Sequence, residues 1–149
     1  EFYSVYFTLR EGDFDVQAAL GGKAMAQNHL EPLKAKGNER SVKEEDQFTT
    51  LQIINEMLAR GYGFLPVDLY KSHAKDFLLE GNNLRLPFTA LKGLGISAAT
   101  SLQEAGEKGE YISIDDVLTR SGVSKAVIEL LREAGALAGL PDSSQMTFF

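Results

Sequence analysis

The first half of the chain alternates between short apolar runs and polar or glycine-rich breaks. Residues 2–10 are rich in Tyr, Phe, Val and Thr, and this pattern predicts a β-strand. Asp13 is placed to cap a short helix that continues to Leu20, where a pair of glycines interrupts it. Residues 31–40 are polar and predict a loop. The first half is therefore expected to mix strand and helix.

A longer amphipathic helix is predicted after Ser41. Ser41 and Glu44 have the spacing of a capping box, in which each side chain accepts a hydrogen bond from the other residue's backbone N–H. Gly61 and Gly63 mark the end of this helix. The residues that would be buried recur at helical spacing and are Leu51, Ile53, Ile54, Met57 and Leu58.

The pattern changes again around Pro87. Before it, two apolar runs, residues 77–79 and 84–86, flank a Gly-Asn-Asn turn and predict a β-hairpin. After it, short helices alternate with glycine turns, with one helix expected over residues 113–118 and another after Ser124. The buried face of this last helix would consist of Val127, Ile128, Leu131 and Ala134.

These elements predict an α+β fold that is mostly helical. A short strand and hairpin region would be followed by an all-helical helix-hairpin-helix module and an extended C-terminal tail. We expect the corresponding boundaries to be residues 1–86, residues 87–140 and residues 141–149.

The composition excludes some classes of function but does not identify one. The chain has 149 residues, no cysteine and a net charge of −6, so it has neither a disulfide nor a thiolate metal site. The acidic balance argues against a dedicated nucleic-acid binder, because phosphate contacts need Lys and Arg. No apolar run approaches the ~20 residues of a membrane span. These features favour a cytoplasmic protein without a membrane partner, whose contacts with DNA would be local.

The stretch from Pro87 to Leu102 predicts a helix-hairpin-helix turn. Two glycines allow a tight turn with no side chain to obstruct a ligand, and the first backbone N–H groups of the following helix, expected to open at Ser97, favour an anion such as a DNA phosphate. Leu94 would be buried, and Lys92 would add a charge. The predicted DNA-binding residues are Lys92, Gly93, Leu94, Gly95, Ile96 and Ser97. The alternative is a glycine turn that simply joins two packed helices.

A second, degenerate copy of this turn follows Arg120. It contains one glycine rather than two, so an ordinary helix–helix turn is the alternative. The residues that would contact DNA are Gly122, Val123, Ser124 and Lys125. Paired hairpins would hold more phosphates than one, and neither would distinguish between base sequences.

The last five residues form a second candidate site. They are Gln145, Met146, Thr147, Phe148 and Phe149. An exposed Phe pair suggests insertion into an apolar pocket, and the spacing Gln-x-x-apolar-Phe matches the peptide with which bacterial replication proteins dock on the sliding clamp. The alternative is a tail that is disordered or folded onto its own core.

Two other patterns are weaker candidates for a functional site. Asp13 and Asp15 are spaced like the carboxylates of a two-metal site, but no third carboxylate is identifiable and Asp13 is explained as a helix cap. His29 and His73 are isolated in the sequence and have no evident second ligand. We therefore expect no catalytic residue and no metal ligand in this chain.

Read together, these segments resemble the C-family replicative polymerases, and within them the PolC-type DNA polymerase III α subunits. Each matching segment is short, but their order and spacing are specific. They are residues 5–10 with 13–15, residues 54–57 with 60–61, residues 68–72, 87–88 and 93–95, and residues 123–125, 135–137, 140–141 and 145–149.

The resemblance implies a part of a DNA-directed DNA polymerase, a nucleotidyltransferase used in DNA replication. Residues 1 to about 86 would be the end of a fingers-like region, and the remainder would bind duplex DNA and the sliding clamp for processive synthesis. The implied partners are duplex DNA, the clamp and the remaining polymerase domains. The catalytic aspartates of this family lie upstream, so the parent's Mg²⁺ would be bound outside this chain. Met and Phe replace the family's usual Leu in the tail, which implies altered clamp affinity.

Two alternatives from other classes remain. A helix-hairpin-helix module of a DNA repair enzyme would bind DNA without docking on the clamp, but such modules lack the matching segments before residue 87. A protein-interaction scaffold would bind no DNA, and the net charge of −6 favours it. Salt-dependent retention of duplex DNA would separate the first from the second.

Overall fold

The computed structural model describes residues 2–143 and divides the chain into two compact units. Within that range, the first unit contains residues 2–65 and 77–85, and the second contains residues 66–76 and 86–143. Residues 66–76 thus pack with the helices that follow residue 86, although they precede the hairpin strands in the sequence. The assignment of residues 1–86 to a fingers-like region stays a prediction.

The first unit combines four helices with a small sheet. Its helices are α1 (Phe2–Leu9), α2 (Val16–Gly21), α3 (Lys23–Lys36) and α4 (Val42–Ala59), with one-turn 3-10 helices at Glu11–Asp13 and Gly37–Glu39. Its strands are β1 (Gly63–Leu65), β2 (Leu78–Glu80) and β3 (Asn83–Arg85).

The strand predicted over residues 2–10 is wrong, because this segment is the helix α1. The Ser4 hydroxyl donates to the Phe77 carbonyl, and the Phe77 N–H donates to Thr8 Oγ1 over 3.0 Å. Residues i and i+4 are neighbours on a helix, whereas in a strand they would lie about 13 Å apart and could not both reach Phe77. Phe7 is fully buried and its ring packs on Phe14, Phe64 and Phe77. Tertiary packing has overridden the β-propensity of this segment.

The cap of α2 is Asp15 rather than Asp13. The Asp15 carboxylate accepts a hydrogen bond from Ala18 N at 3.0 Å, as an N-cap residue does. Asp13 instead pairs with Lys43 Nζ at 3.0 Å. The helix ends as expected at the glycine pair, where Gly22 has a φ of 88°.

The loop predicted over residues 31–40 is also wrong, because α3 continues to Lys36. This helix lies on the surface, and among its described side chains only Ala26 is buried. An apolar stripe of one small residue gives almost no periodic signal, so the polar sequence resembles a loop. Pro32 lies inside the helix, where it removes one backbone donor, and packing against α2 and α4 maintains the helix.

The capping box at the start of α4 is confirmed. Glu44 N donates to Ser41 Oγ at 3.1 Å, and Ser41 N donates to Glu44 Oε1 at 3.0 Å. A hydrogen bond from the Lys36 ammonium holds the pKa of Glu44 below its ordinary value. The helix buries Leu51, Ile54 and Met57, three of the five apolar residues expected there.

The predicted hairpin is confirmed as β2 and β3, which pair in antiparallel register with Leu79 opposite Leu84. Gly81 has a φ of 62° in the turn, a conformation that favours glycine. β1 adds in parallel to β3, giving the strand order β1-β3-β2.

The regular secondary structure in the described part of the second unit is all helical. After a strap of residues 66–76 come a one-turn 3-10 helix at Phe88–Ala90 and the helices α5 (Ile96–Glu107), α6 (Ile114–Ser121) and α7 (Lys125–Glu133). Its core includes Leu86, Phe88, Leu102, Val117 and Leu131, all fully buried. The expected fold class, mostly helical with a short strand region before a helical module, is confirmed.

Candidate nucleic-acid interface

The first glycine turn has the geometry that its sequence requires. Gly93 has a φ of 95°, which favours glycine over any other residue. Leu94 follows it into the core, and its N–H donates to the Leu91 carbonyl at 3.1 Å. Lys92 is exposed. The segment before the turn is a single 3-10 turn at Phe88–Ala90 rather than a longer helix.

The N-cap residue of the helix after this turn is a glycine, which has no side chain to accept a hydrogen bond. α5 begins at Ile96 with Gly95 as its N-cap, so the expectation that Ser97 opens the helix is off by one residue. No side chain among residues 2–143 caps α5. The N–H groups of the first turn have no partner within a helix, so those of Ile96, Ser97 and Ala98 remain for an external acceptor. Gly95, Ile96 and Ser97 are all exposed around them.

The second turn repeats this backbone closely. Gly122 has a φ of 72°, Val123 is buried, and Ser124 is the N-cap of α7 with φ −76° and ψ 163°. The corresponding N-cap Gly95 has φ −77° and ψ 169°. The chemistry differs at the cap, since Ser124 Oγ accepts a hydrogen bond from Val127 N at 3.3 Å. The second turn therefore satisfies one of its own amides, whereas the first does not.

The first turn contacts α7 in the second unit. A Cβ atom added to Gly93 would lie 3.4 Å from a methyl group of Leu130. Leu130 belongs to α7, whose N-terminus is the second turn. The first turn therefore packs on the helix that the second turn begins, and both turns belong to one compact unit.

Positive charge is locally available at these turns. Lys92 and Lys125 are exposed, and neither forms an ion pair within the described part of the chain. The same holds for the other lysines of the second unit in that range, Lys71, Lys75 and Lys108. An ammonium group without a carboxylate partner is free to pair with phosphate.

Arg120, just before the second turn, instead forms hydrogen bonds within the protein. Its guanidinium donates to the carbonyls of Ala105 at 2.6 Å, Gly109 at 3.1 Å and Glu110 at 3.0 Å. It also lies 4.5 Å from the centre of the Tyr111 ring. Burial raises the pKa of Tyr111 above its ordinary value, an effect that the Arg120 charge partly offsets. These contacts tie the end of α5 to α6.

The strap of residues 66–76 positions the first turn, a role that was not predicted from the sequence. The Ser72 hydroxyl donates to the Leu86 carbonyl at 2.6 Å and accepts from Asp68 N at 2.9 Å. The N–H of Phe88 donates to the His73 carbonyl at 3.0 Å. Asp68 Oδ1 also accepts from two following amides, and such an Asx turn could have been expected from the Asp-x-x-x-Ser spacing.

The isolated carboxylates and histidines have structural roles. Asp15 Oδ2 lies 2.5 Å from His29 Nδ1, and His73 Nδ1 accepts from the N–H groups of Lys75 and Asp76. Within residues 2–143, no three or more His, Asp or Glu side chains are grouped so that they could hold a metal ion. The described residues therefore do not fit the Mg²⁺ that the resemblance implies for the parent polymerase.

The predicted clamp-binding peptide, Gln145–Phe149, lies outside the described residues. In the predicted C-terminal tail of residues 141–149, the first two residues accept backbone hydrogen bonds. Ile114 N donates to the Pro141 carbonyl at 2.8 Å, and Asp115 N donates to the Asp142 carbonyl at 3.0 Å. These bonds provide acceptors for two N–H groups in the first turn of α6 that have no partner within the helix. The chain is therefore hydrogen-bonded to α6 as far as Asp142.

Comparison with known proteins agrees with this geometry. The family model of the helix-hairpin-helix motif matches residues 61–146, more than half of the chain. The chain is 43% identical over 148 residues to the PolC-type DNA polymerase III of Bacillus cereus, 40% identical over 148 residues to that of Bacillus subtilis, and 42% identical over 149 residues to that of Thermotoga petrophila. These matches cover 99–100% of the chain but only 10–11% of each relative. The resemblance to PolC-type polymerases is thereby confirmed.

None of the helices formed by residues 2–143 is long and apolar enough to cross a membrane.

Proposed function

Because the chain belongs to the helix-hairpin-helix motif family, we propose that it serves as the duplex-holding segment of a PolC-type replicative DNA polymerase. Its similarity to three such polymerases over nearly its whole length supports this role. The activity of the whole protein would be DNA-directed nucleotidyl transfer, with the reacting groups supplied by other parts of the polymerase. The matching segments before residue 87 favour this function over a repair-enzyme module.

The observation that carries the proposal is the uncapped start of α5. Its first-turn N–H groups have no acceptor within the described chain, and the glycine at the cap leaves room for a phosphate. Such amides, together with the positive end of the helix dipole, favour an anion. Main-chain donors contact the sugar-phosphate backbone and carry no base information. We therefore propose DNA binding through Lys92–Ser97 without sequence preference.

The second turn is proposed as an additional phosphate contact. Its backbone matches that of the first turn, and Lys125 is exposed at the first position of α7. Because Ser124 already occupies one amide, this contact would depend more on the Lys125 charge. Two contacts in one unit would fix the orientation of the duplex as well as its position.

Docking on the sliding clamp is proposed for Gln145–Phe149. Gln145 would hydrogen-bond at the rim of a groove, and Met146, Phe148 and Phe149 would fill its apolar interior. A short peptide and a sequence-independent hairpin each bind weakly. Linked in one chain, they raise each other's effective concentration at the primer-template, which is the physical basis of processivity.

DNA binding by the second unit is tested by removing one lysine at the turn. Lys92→Ala should weaken binding equally for two duplexes of unrelated sequence and reduce the slope of log Kd against log salt by about 1. Lys108→Ala is the matched control, because Lys108 is also exposed but lies at the far end of α5, about 18 Å along the helix. Fluorescence anisotropy titrations at several salt concentrations measure both quantities. An unchanged slope for Lys92→Ala, or absence of binding by the unmodified chain, contradicts the proposal.

Clamp docking is tested by deleting residues 145–149. The unmodified chain should bind a purified bacterial sliding clamp in a surface plasmon resonance assay, and the deletion should abolish binding because the apolar anchors are lost. Phe148→Ala should weaken binding at least tenfold, whereas Thr147→Ala should change it little. Equal binding of the deletion variant would show that the clamp, if bound at all, is bound elsewhere.

A further inference from the structure

One helix of the first unit is apolar on its outer side as well as on its inner side. α1 packs Phe7 into the core, yet Phe2, Val5 and Leu9 are 67%, 60% and 74% exposed. Their spacing places them on one stripe of the helix. The eight residues of α1 include no charged side chain. A row of large, exposed apolar side chains on a helix favours contact with another apolar surface.

The strand next to α1 also exposes apolar side chains. The hydroxyls of Ser4 and Thr8 bind the main chain of Phe77, the residue directly before β2, so α1 and β2 are neighbours. β2 is an edge strand of the sheet, and both of its leucines are exposed. The outer apolar face, as we name it, consists of Phe2, Val5 and Leu9 on α1, because the consecutive residues Leu78 and Leu79 point to opposite faces of the sheet.

We propose that the outer apolar face packs against an apolar surface in the remainder of a PolC-type polymerase chain. This inference rests on the proposed function. The relatives are about ten times as long as the segment that this chain matches, so the proposed polymerase supplies a large, covalently attached partner. Contiguous exposed apolar patches of several hundred Å² mark interaction sites.

The side chains of the outer apolar face favour a protein partner over DNA. Phosphate binding needs cations or free amides, and neither α1 nor β2 carries a Lys or Arg. An uncharged surface of aromatic and branched aliphatic side chains gains free energy by excluding water, which an apolar protein surface permits and a nucleic acid does not. The surface it meets should therefore be equally apolar.

The experiment compares the free chain with a hybrid polymerase. In the hybrid, this chain replaces the 148 matched residues of the Bacillus cereus relative. Hydrogen exchange of residues 2–9, measured by mass spectrometry, should be at least tenfold slower in the hybrid. The double variant Val5→Lys/Leu9→Lys should remove that protection but leave the Tm of the free chain unchanged. The control Val42→Lys/Ile112→Lys, at sites 83% and 64% exposed, should retain it.

Three results would overturn the proposal. The first is equal exchange of residues 2–9 in the free chain and the hybrid. The second is loss of protection in the control variant as well. The third is a dimer of the free chain in sedimentation that Val5→Lys/Leu9→Lys dissociates, because the face would then bind a second copy. Failure of the proposed function is distinguishable, since it would appear as lack of DNA binding through the second unit.

Discussion

Gly95→Asp should weaken DNA binding roughly 30- to 150-fold while leaving the chain as stable as before or slightly more so. Gly95 has ordinary backbone angles, and a Cβ atom there meets nothing within 4 Å, so the substitution is tolerated sterically. An N-cap Asp would accept hydrogen bonds from the first-turn amides of α5 and place a negative charge where a phosphate should sit. Loss of charge-assisted hydrogen bonds costs about 2–3 kcal/mol.

The opposite signs of the two effects make this variant informative. Asp at the N-cap should raise the free energy of unfolding by a few tenths of a kcal/mol, measured by urea denaturation, while anisotropy titrations show weaker DNA binding. Gly12→Asp is the matched control, because it adds the same charge at an exposed glycine of the first unit that also has free space. Should both variants lose affinity equally, net charge and not the first turn would control binding.

Phe7→Ala should lower the free energy of unfolding by about 3–5 kcal/mol, the range for deletion of a fully buried aromatic ring. The Phe7 ring lies 5.3 Å from Phe14, 5.5 Å from Phe64 and 5.7 Å from Phe77, measured between centroids. Its removal leaves a cavity among three rings and removes the edge-to-face contacts with Phe14 and Phe64. Chemical denaturation followed by circular dichroism measures the loss.

Phe2→Ala provides the control for this effect. It removes the same side chain from the same helix, but Phe2 is largely exposed, so the free chain should change by less than about 0.5 kcal/mol. A large effect at Phe2, or a small one at Phe7, would mean that α1 faces the core with its other side. The two measurements together therefore test which side of α1 is buried.

The net charge of −6 is compatible with DNA binding because charge acts locally. The described lysines of the second unit are exposed and make no ion pair within residues 66–76 and 86–143. In the first unit, by contrast, Lys36, Arg40 and Lys43 are paired with carboxylates. Screening limits the reach of remote acidic residues to about 8–10 Å. A phosphate at α5 would thus meet mainly free amides and Lys92.

Several features followed from the sequence because they depend on neighbouring residues alone. A glycine is needed wherever φ is positive, as at Gly93 and Gly122. A capping box needs only two residues three positions apart, as at Ser41 and Glu44. The helix-hairpin-helix turn and the β-hairpin are made of such local requirements, and their sequence signals are correspondingly direct.

Other features were decided only when distant parts of the chain packed together. Whether residues 2–10 form a strand or a helix depends on Phe77, which lies about seventy positions away and binds Ser4 and Thr8. Arg120 turns inward because the carbonyls at the end of α5 surround it. The sequence by itself determined the glycine turns and the capping box of α4, whose free energies are local. The tertiary structure decided that α1 and α3 are helices and which partners the charged side chains contact. Burial and long-range hydrogen bonds decide these features because they outweigh propensities of less than about 1 kcal/mol per residue.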